Sequence, residues 1–205
     1  MDKKLVVFDL DGVLTDACEW HRIALNMAFE EVSGLSISLD DHHTTFNGIP
    51  TKKKLSILAN QGAVDKKDFD TIFSLKQKNT IKLINEQASH RQEKVEMLEE
   101  LKKRGIHVAC FTNSIRETAE LMLRKTGILH LLESVVTNED VVNPKPDPEG
   151  YLRLVEEFNV LKKNVIIVED SPKGLQAARD SGCRVIQVKD PNEVSISLFK
   201  DIINK

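Results

Sequence analysis

Apolar residues gather along this chain in short β-branched and aromatic runs, separated by longer stretches with helical spacing. The first run, residues 4–10, reads KLVVFDL and ends in acid. Residues 106–112 (IHVACFT), 164–169 (NVIIVE) and 183–188 (CRVIQV) repeat the type, and residues 134–137 (SVVT) form a weaker one. Short apolar runs of this kind predict strands buried on both faces. Between them, residues 91–104 carry Val95, Leu98 and Leu101 and stop at Gly105. Residues 114–126 carry Ile115, Ala119, Met122 and Leu123 and stop at Gly127, and residues 172–181 stop at Gly182. A glycine just past the last periodic residue is a helix stop. Strands alternating with amphipathic helices predict an α/β domain around a central parallel sheet.

Residues 17 to about 88 break this alternation and show helical patterns without a convincing strand. One covers residues 17–32. A second follows Thr51, with Leu55, Leu58 and Ala59. A third starts near Asp65, a plausible N-cap, and carries Phe69, Ile72, Phe73, Lys76, Ile81 and Ile84. The pattern predicts a helical module inserted after the first strand, with residues 17–87 as the insert and residues 1–16 and 88–205 as the α/β core.

Composition narrows the function classes. The chain has 205 residues, 40% hydrophobic and 30% charged, with a formal net charge of −3. That balance fits a folded soluble protein and lacks the basic footprint of a nucleic-acid binder or of a protein drawn to anionic membranes. Cys18, Cys110 and Cys183 are scattered and form no CxxC pair, which predicts reduced thiols in a cytoplasmic protein rather than a disulfide frame or a zinc site. The sequence shows neither a signal peptide nor a run long enough to span a membrane.

Four polar clusters fall at predicted carboxyl ends of strands, where α/β sheets bind ligands. In Asp9-Leu10-Asp11-Gly12 the two carboxylates point the same way on an extended backbone, which calls for a hard cation between them. The bland alternative is a pair of solvated turn aspartates. Thr112-Asn113-Ser114 offers hydroxyl and amide groups to an anion at a helix start, or simply an N-cap. Asn143-Pro144-Lys145-Pro146-Asp147-Pro148 stiffens the backbone around one lysine, which suits a phosphate or a charged nucleophile and is otherwise a solvated turn residue. Glu169-Asp170-Ser171-Pro172 supplies further oxygen ligands or caps the next helix. Taken together, the set contains the parts that phosphoryl transfer requires.

The order DLDGVLTD, FTNS, NPKPDP, VEDSPKG resembles the haloacid dehalogenase (HAD) superfamily of phosphohydrolases. The helical insert is similar to the C1 cap of its beta-phosphoglucomutase-like and phosphoglycolate phosphatase-like branch. The resemblance implies a Rossmann-like three-layer core with the first strand central, plus a small all-helical cap. It implies that Asp9 is the nucleophile and Asp11 the general acid and base, that Thr112 and Asn113 hold the phosphoryl group, with Ser114 beside them, and that Lys145 bridges nucleophile and phosphate. Mg²⁺ is implied on Asp9, Asp11, Glu169 and Asp170. Asp11 speaks against dehalogenation, since dehalogenating relatives lack it. In the cap, His21, the turn at Asn47 and Gly48, Lys54 and Lys78 correspond to substrate-facing positions, with a hinge-packing role for His21 left open. Thr51 stands where mutases carry an arginine, which departs from their grip on a bisphosphate. The expectation is a monomeric phosphatase acting on a small phosphorylated metabolite, a phosphosugar or similar monoester, with no nucleic acid or membrane as partner. A phosphoglucomutase-type mutase and a non-catalytic phospholigand-binding protein remain as alternatives.

Overall fold

The computed structural model describes residues 3–46 and 48–203. The chain divides into two compact units, Met1–Asp16 with Ser89–Lys205, and Ala17–Ala88.

In chain order the elements are β1 (Lys4–Phe8), α1 (Cys18–Val32), a single helical turn α2 (Leu39–Asp41), α3 (Thr51–Asn60), α4 (Phe69–Gln87), α5 (Gln92–Lys103), β2 (Ile106–Phe111), α6 (Arg116–Lys125), β3 (Ser134–Val136), α7 (Glu149–Glu157), β4 (Val165–Glu169), α8 (Pro172–Asp180), β5 (Arg184–Gln187) and α9 (Lys200–Ile203). The strands form one parallel sheet in the order β3-β2-β1-β4-β5. The α/β fold with a central parallel sheet is therefore as the hydrophobic pattern predicts. The first strand stops at Phe8, two residues short of the predicted run, and Leu10 is buried beyond it.

Register decides which side chains share a face. Val7 stands opposite Ala109 on β2 and Ile167 on β4. Leu5, Val7, Ala109, Phe111 and Ile167 join Tyr151 and Leu154 of α7 and Ala177 and Ala178 of α8 in one buried cluster. The other face carries Phe8, whose ring meets Phe199 edge-on at 5.8 Å. Lys94 of α5 is buried there and donates to the carbonyls of Pro191 and Val194 at 2.5 and 2.6 Å.

The helical unit has its own core of Leu25, Ala28, Phe29, Ile37, Phe46, Ile49, Leu55, Leu58 and Ile72. The Asn26 carboxamide bonds both backbone groups of Ile37, at 2.8 and 2.9 Å, and pins the segment after α1. Asp65 accepts from Lys67 N at 3.0 Å and caps a 3₁₀ turn, Lys66–Asp68, that leads into α4.

Candidate active site

Continuing the strand alternation past Val7 and Ile167 puts Asp9 and Glu169 on the same face as Phe111. Asp9 N donates to Val168 O at 3.0 Å, so the two acids end neighbouring strands side by side. Both are buried, Asp9 to 6% exposure and Glu169 to 0%. Like charges this close need a cation. Lys145, 3% exposed, supplies one. Its ammonium donates to Asp9 Oδ1 at 2.6 Å, Glu169 Oε1 at 2.5 Å and the Phe111 carbonyl at 2.8 Å.

The loops after β1 and β4 close on each other. Gly12 takes a φ of 90°, and the chain turns back with Gly12 N on Thr15 O at 2.7 Å and Thr15 N on Leu10 O at 2.9 Å. A Cβ on Gly12 would stand 2.3 Å from Asp170 Oδ2, so only glycine lets these loops meet. Gly174 plays the same part for Glu169, whose carboxylate would lie 1.9 Å from a Cβ there.

Thr112 is buried, and its hydroxyl oxygen accepts from Ser114 N at 3.0 Å. Ser114 Oγ in turn donates to Asp11 Oδ2 at 2.8 Å. The Asn113 side chain bonds the Lys145 backbone, accepting from its N–H and donating to its carbonyl. Asp9, Asp11, Thr112, Asn113, Ser114, Lys145, Glu169 and Asp170 thus form one connected group.

Electrostatics leaves this group short of positive charge. Oxygens of Asp9, Glu169 and Asp170 lie within 4.8 Å of one another. Among the described residues these three carboxyl groups face the single ammonium of Lys145. Burial pushes the Asp9 carboxyl well above the usual range, and the Glu169 charge pushes it further, against the pull of Lys145. Burial and Glu169 likewise raise Asp170 to about 7. Burial opposes the charged form of Lys145, but Asp9 and Glu169 outweigh it and raise its pKa. Asp170 Oδ1 is buried without a hydrogen-bond partner. An orphaned carboxylate oxygen, beside acids whose charged forms are disfavoured for want of positive charge, fits a divalent cation held by oxygen ligands. The Asp11 carboxylate is instead engaged by Ser114.

The remaining sequence candidates belong to the helical unit. His21 Nδ1 lies 3.2 Å from Lys76 Nζ, and Lys76 is buried, whereas Lys78 is exposed. Lys54 is buried at the start of α3, and Gly48 has a φ of 75°. Asn47 lies outside the described residues. Sequence reasoning passed over Tyr151, whose hydroxyl bonds Glu169 Oε1. As the chain's single tyrosine, set just behind the lysine loop, it carried a faint signal.

The family model described as haloacid dehalogenase-like hydrolase matches residues 6–188. A phosphorylated carbohydrates phosphatase of Thermotoga maritima is 30% identical over 182 residues, which cover 86% of this chain and 81% of that protein. A phosphoglycolate phosphatase of Thiobacillus denitrificans is 28% identical, covering 90% of this chain and 82% of that one. The crystal structure of a beta-phosphoglucomutase from Clostridium difficile superposes with a TM-score of 0.83 at 21% identity, covering 98% of this chain and 97% of that chain, and shares the fold. Fold and relatives make this protein an enzyme, a hydrolase of the phosphatase class. The chain belongs to the haloacid dehalogenase-like hydrolase family, whose hydrolases generally use a divalent metal.

Proposed function

We propose that this chain is a Mg²⁺-dependent phosphatase that hydrolyses a small phosphorylated metabolite, a phosphosugar or similar monoester, through an aspartyl-phosphate on Asp9. The observation that carries the reading is Lys145 Nζ seated 2.6 Å from Asp9 Oδ1, with buried Glu169 and half-buried Asp170 beside them. A carboxylate so held is oriented by a fixed cation and screened from bulk water, as a nucleophile toward phosphorus needs to be.

In this reading Asp9 attacks phosphorus and the bond to the leaving oxygen breaks. Asp11 gives that oxygen its proton, then takes a proton from the water that attacks the phosphoaspartate and releases inorganic phosphate. Its bond from Ser114 Oγ at 2.8 Å orients the Asp11 carboxylate for this exchange. Thr112, Ser114 and Lys145 hold the phosphoryl oxygens, and Asn113 keeps the Lys145 backbone in place. Asp9 and Asp170, with Glu169 and the Asp11 residue beside them, are the groups to hold Mg²⁺. The bound ion supplies positive charge against the carboxylates and the phosphoryl oxygens. The helical unit takes the part of a substrate-selecting cap, with His21, Gly48, Lys54 and Lys78 as its candidate residues. We read the working form as a monomer.

The test is phosphate release from a panel of metabolite monoesters with purified protein. Activity that depends on Mg²⁺ and vanishes in Asp9→Asn is expected. Turnover that persists in chelator refutes the metal role, and interconversion of sugar phosphates without net phosphate release points to a mutase instead.

A further inference from the structure

Tyr151 is fully buried, and its hydroxyl donates to Glu169 Oε1 at 2.8 Å. The same oxygen receives the Lys145 ammonium at 2.5 Å. Glu169 Oε2 takes the N–H groups of Asp170 and Ser171 at 3.0 and 3.2 Å and the Ser171 hydroxyl at 3.3 Å. A carboxylate bonded at both oxygens from three sides has no freedom to rotate, so it serves as a fixed reference for Lys145 and for the backbone that carries Asp170.

The tyrosine ring acts on the lysine as well. Lys145 Nζ lies 5.1 Å from the Tyr151 ring centre and 4.8 Å from that of Phe111. The two rings meet edge to face, with centres 4.9 Å apart. Gly150 makes this possible, because a Cβ there would stand 2.3 Å from the Phe111 ring. Two electron-rich ring faces favour the ammonium at the spot where it meets Asp9. A phenylalanine would fill the same space, so packing alone does not account for the hydroxyl. A buried hydroxyl is tolerated where it has a partner, and Glu169 is that partner.

We propose that Tyr151 is a positioning residue: its hydroxyl and ring hold Glu169 and Lys145 in the orientation from which Lys145 engages Asp9. The inference rests on the reading of Asp9 as the nucleophile of a Mg²⁺-dependent phosphatase.

Tyr151→Phe tests it, since it keeps ring and burial and removes one oxygen. The expected result is kcat about tenfold lower with KM within about twofold of wild type, and a Mg²⁺ dissociation constant, read by calorimetry on metal-free protein, raised by a similar factor. Tyr151→Leu, which also removes the ring, lowers kcat further. A Tyr151→Phe protein with wild-type kcat and wild-type Mg²⁺ affinity overturns the inference, as does an effect confined to KM. Asp9→Asn is the control. If it keeps its turnover, or if the wild type neither binds Mg²⁺ nor hydrolyses a monoester, the reading of the whole centre fails and takes this inference with it. An inactive Asp9→Asn beside a fully active Tyr151→Phe removes the inference alone.

Discussion

Asn113 and Lys145 are joined as two strands would be: the Asn113 carboxamide accepts the Lys145 N–H at 3.0 Å and donates to the Lys145 carbonyl at 3.1 Å. One side chain satisfies both backbone groups of a residue 32 positions away. The pair fixes where the lysine side chain starts, and the bonds of its ammonium to Asp9 and Glu169 fix where it ends. A long flexible side chain held at both ends gives up little further entropy when a ligand arrives.

Asn113→Ala therefore loosens the lysine at its root. Two hydrogen bonds to part-buried backbone are lost, for an expected destabilisation of about 1–3 kcal/mol by urea unfolding. Turnover should fall with it, by about tenfold, as Lys145 samples other positions. Wild-type turnover in a folded Asn113→Ala protein would show that the ammonium's own bonds suffice to place it.

Lys145→Met removes the cation between Asp9 and Glu169. Breaking a buried pair in this way costs about 3–5 kcal/mol, because the acids left behind are uncompensated. The loss is expected in full in chelator and in part with millimolar Mg²⁺, which binds only the folded site. Turnover should drop by about 10²-fold or more. Equal stability of variant and wild type in chelator would mean that Lys145 is not balancing the acids.

Asp140 gives a pH-dependent contribution away from the centre. Its carboxylate accepts the Thr137 N–H at 2.8 Å and hydroxyl at 2.7 Å, and pairs with Arg116 at the start of α6. Burial raises its pKa, but the Thr137 bonds and Arg116 outweigh that and hold it below the usual carboxylate range. A lowered folded-state pKa stabilises the fold above the unfolded value near 4, and that stability is lost as pH falls through the folded value. Asp140→Asn should cost about 1 kcal/mol at pH 7, and the gap to wild type should close below about pH 4. A gap independent of pH would assign the effect to shape rather than charge.

The helical unit shows what periodicity reaches and what it misses. The repeat from Asp65 to Ile84 matches a 3₁₀ turn running into α4, because an amphipathic stripe is a local property of the chain. Sequence similarity singled out Lys78, which is exposed, while Lys76 stands 3.2 Å from His21. The two lysines are two residues apart, about 200° around the helix, so they face opposite ways, and Lys76 falls on the buried stripe with Ile72.

Local sequence set the strands, the helices between them and the position of each acidic or hydroxylic cluster at or just past a strand end. Those features depend on β-branched runs, helical spacing and glycine stops, all of which act over a few residues. Tertiary structure alone decided that Asp9 and Glu169 share one face, that Lys145 reaches Asp9 across 136 positions, and that Tyr151 stands behind them. Parallel register and the seating of α7 on the sheet set those distances, and both depend on burying side chains from remote parts of the chain together.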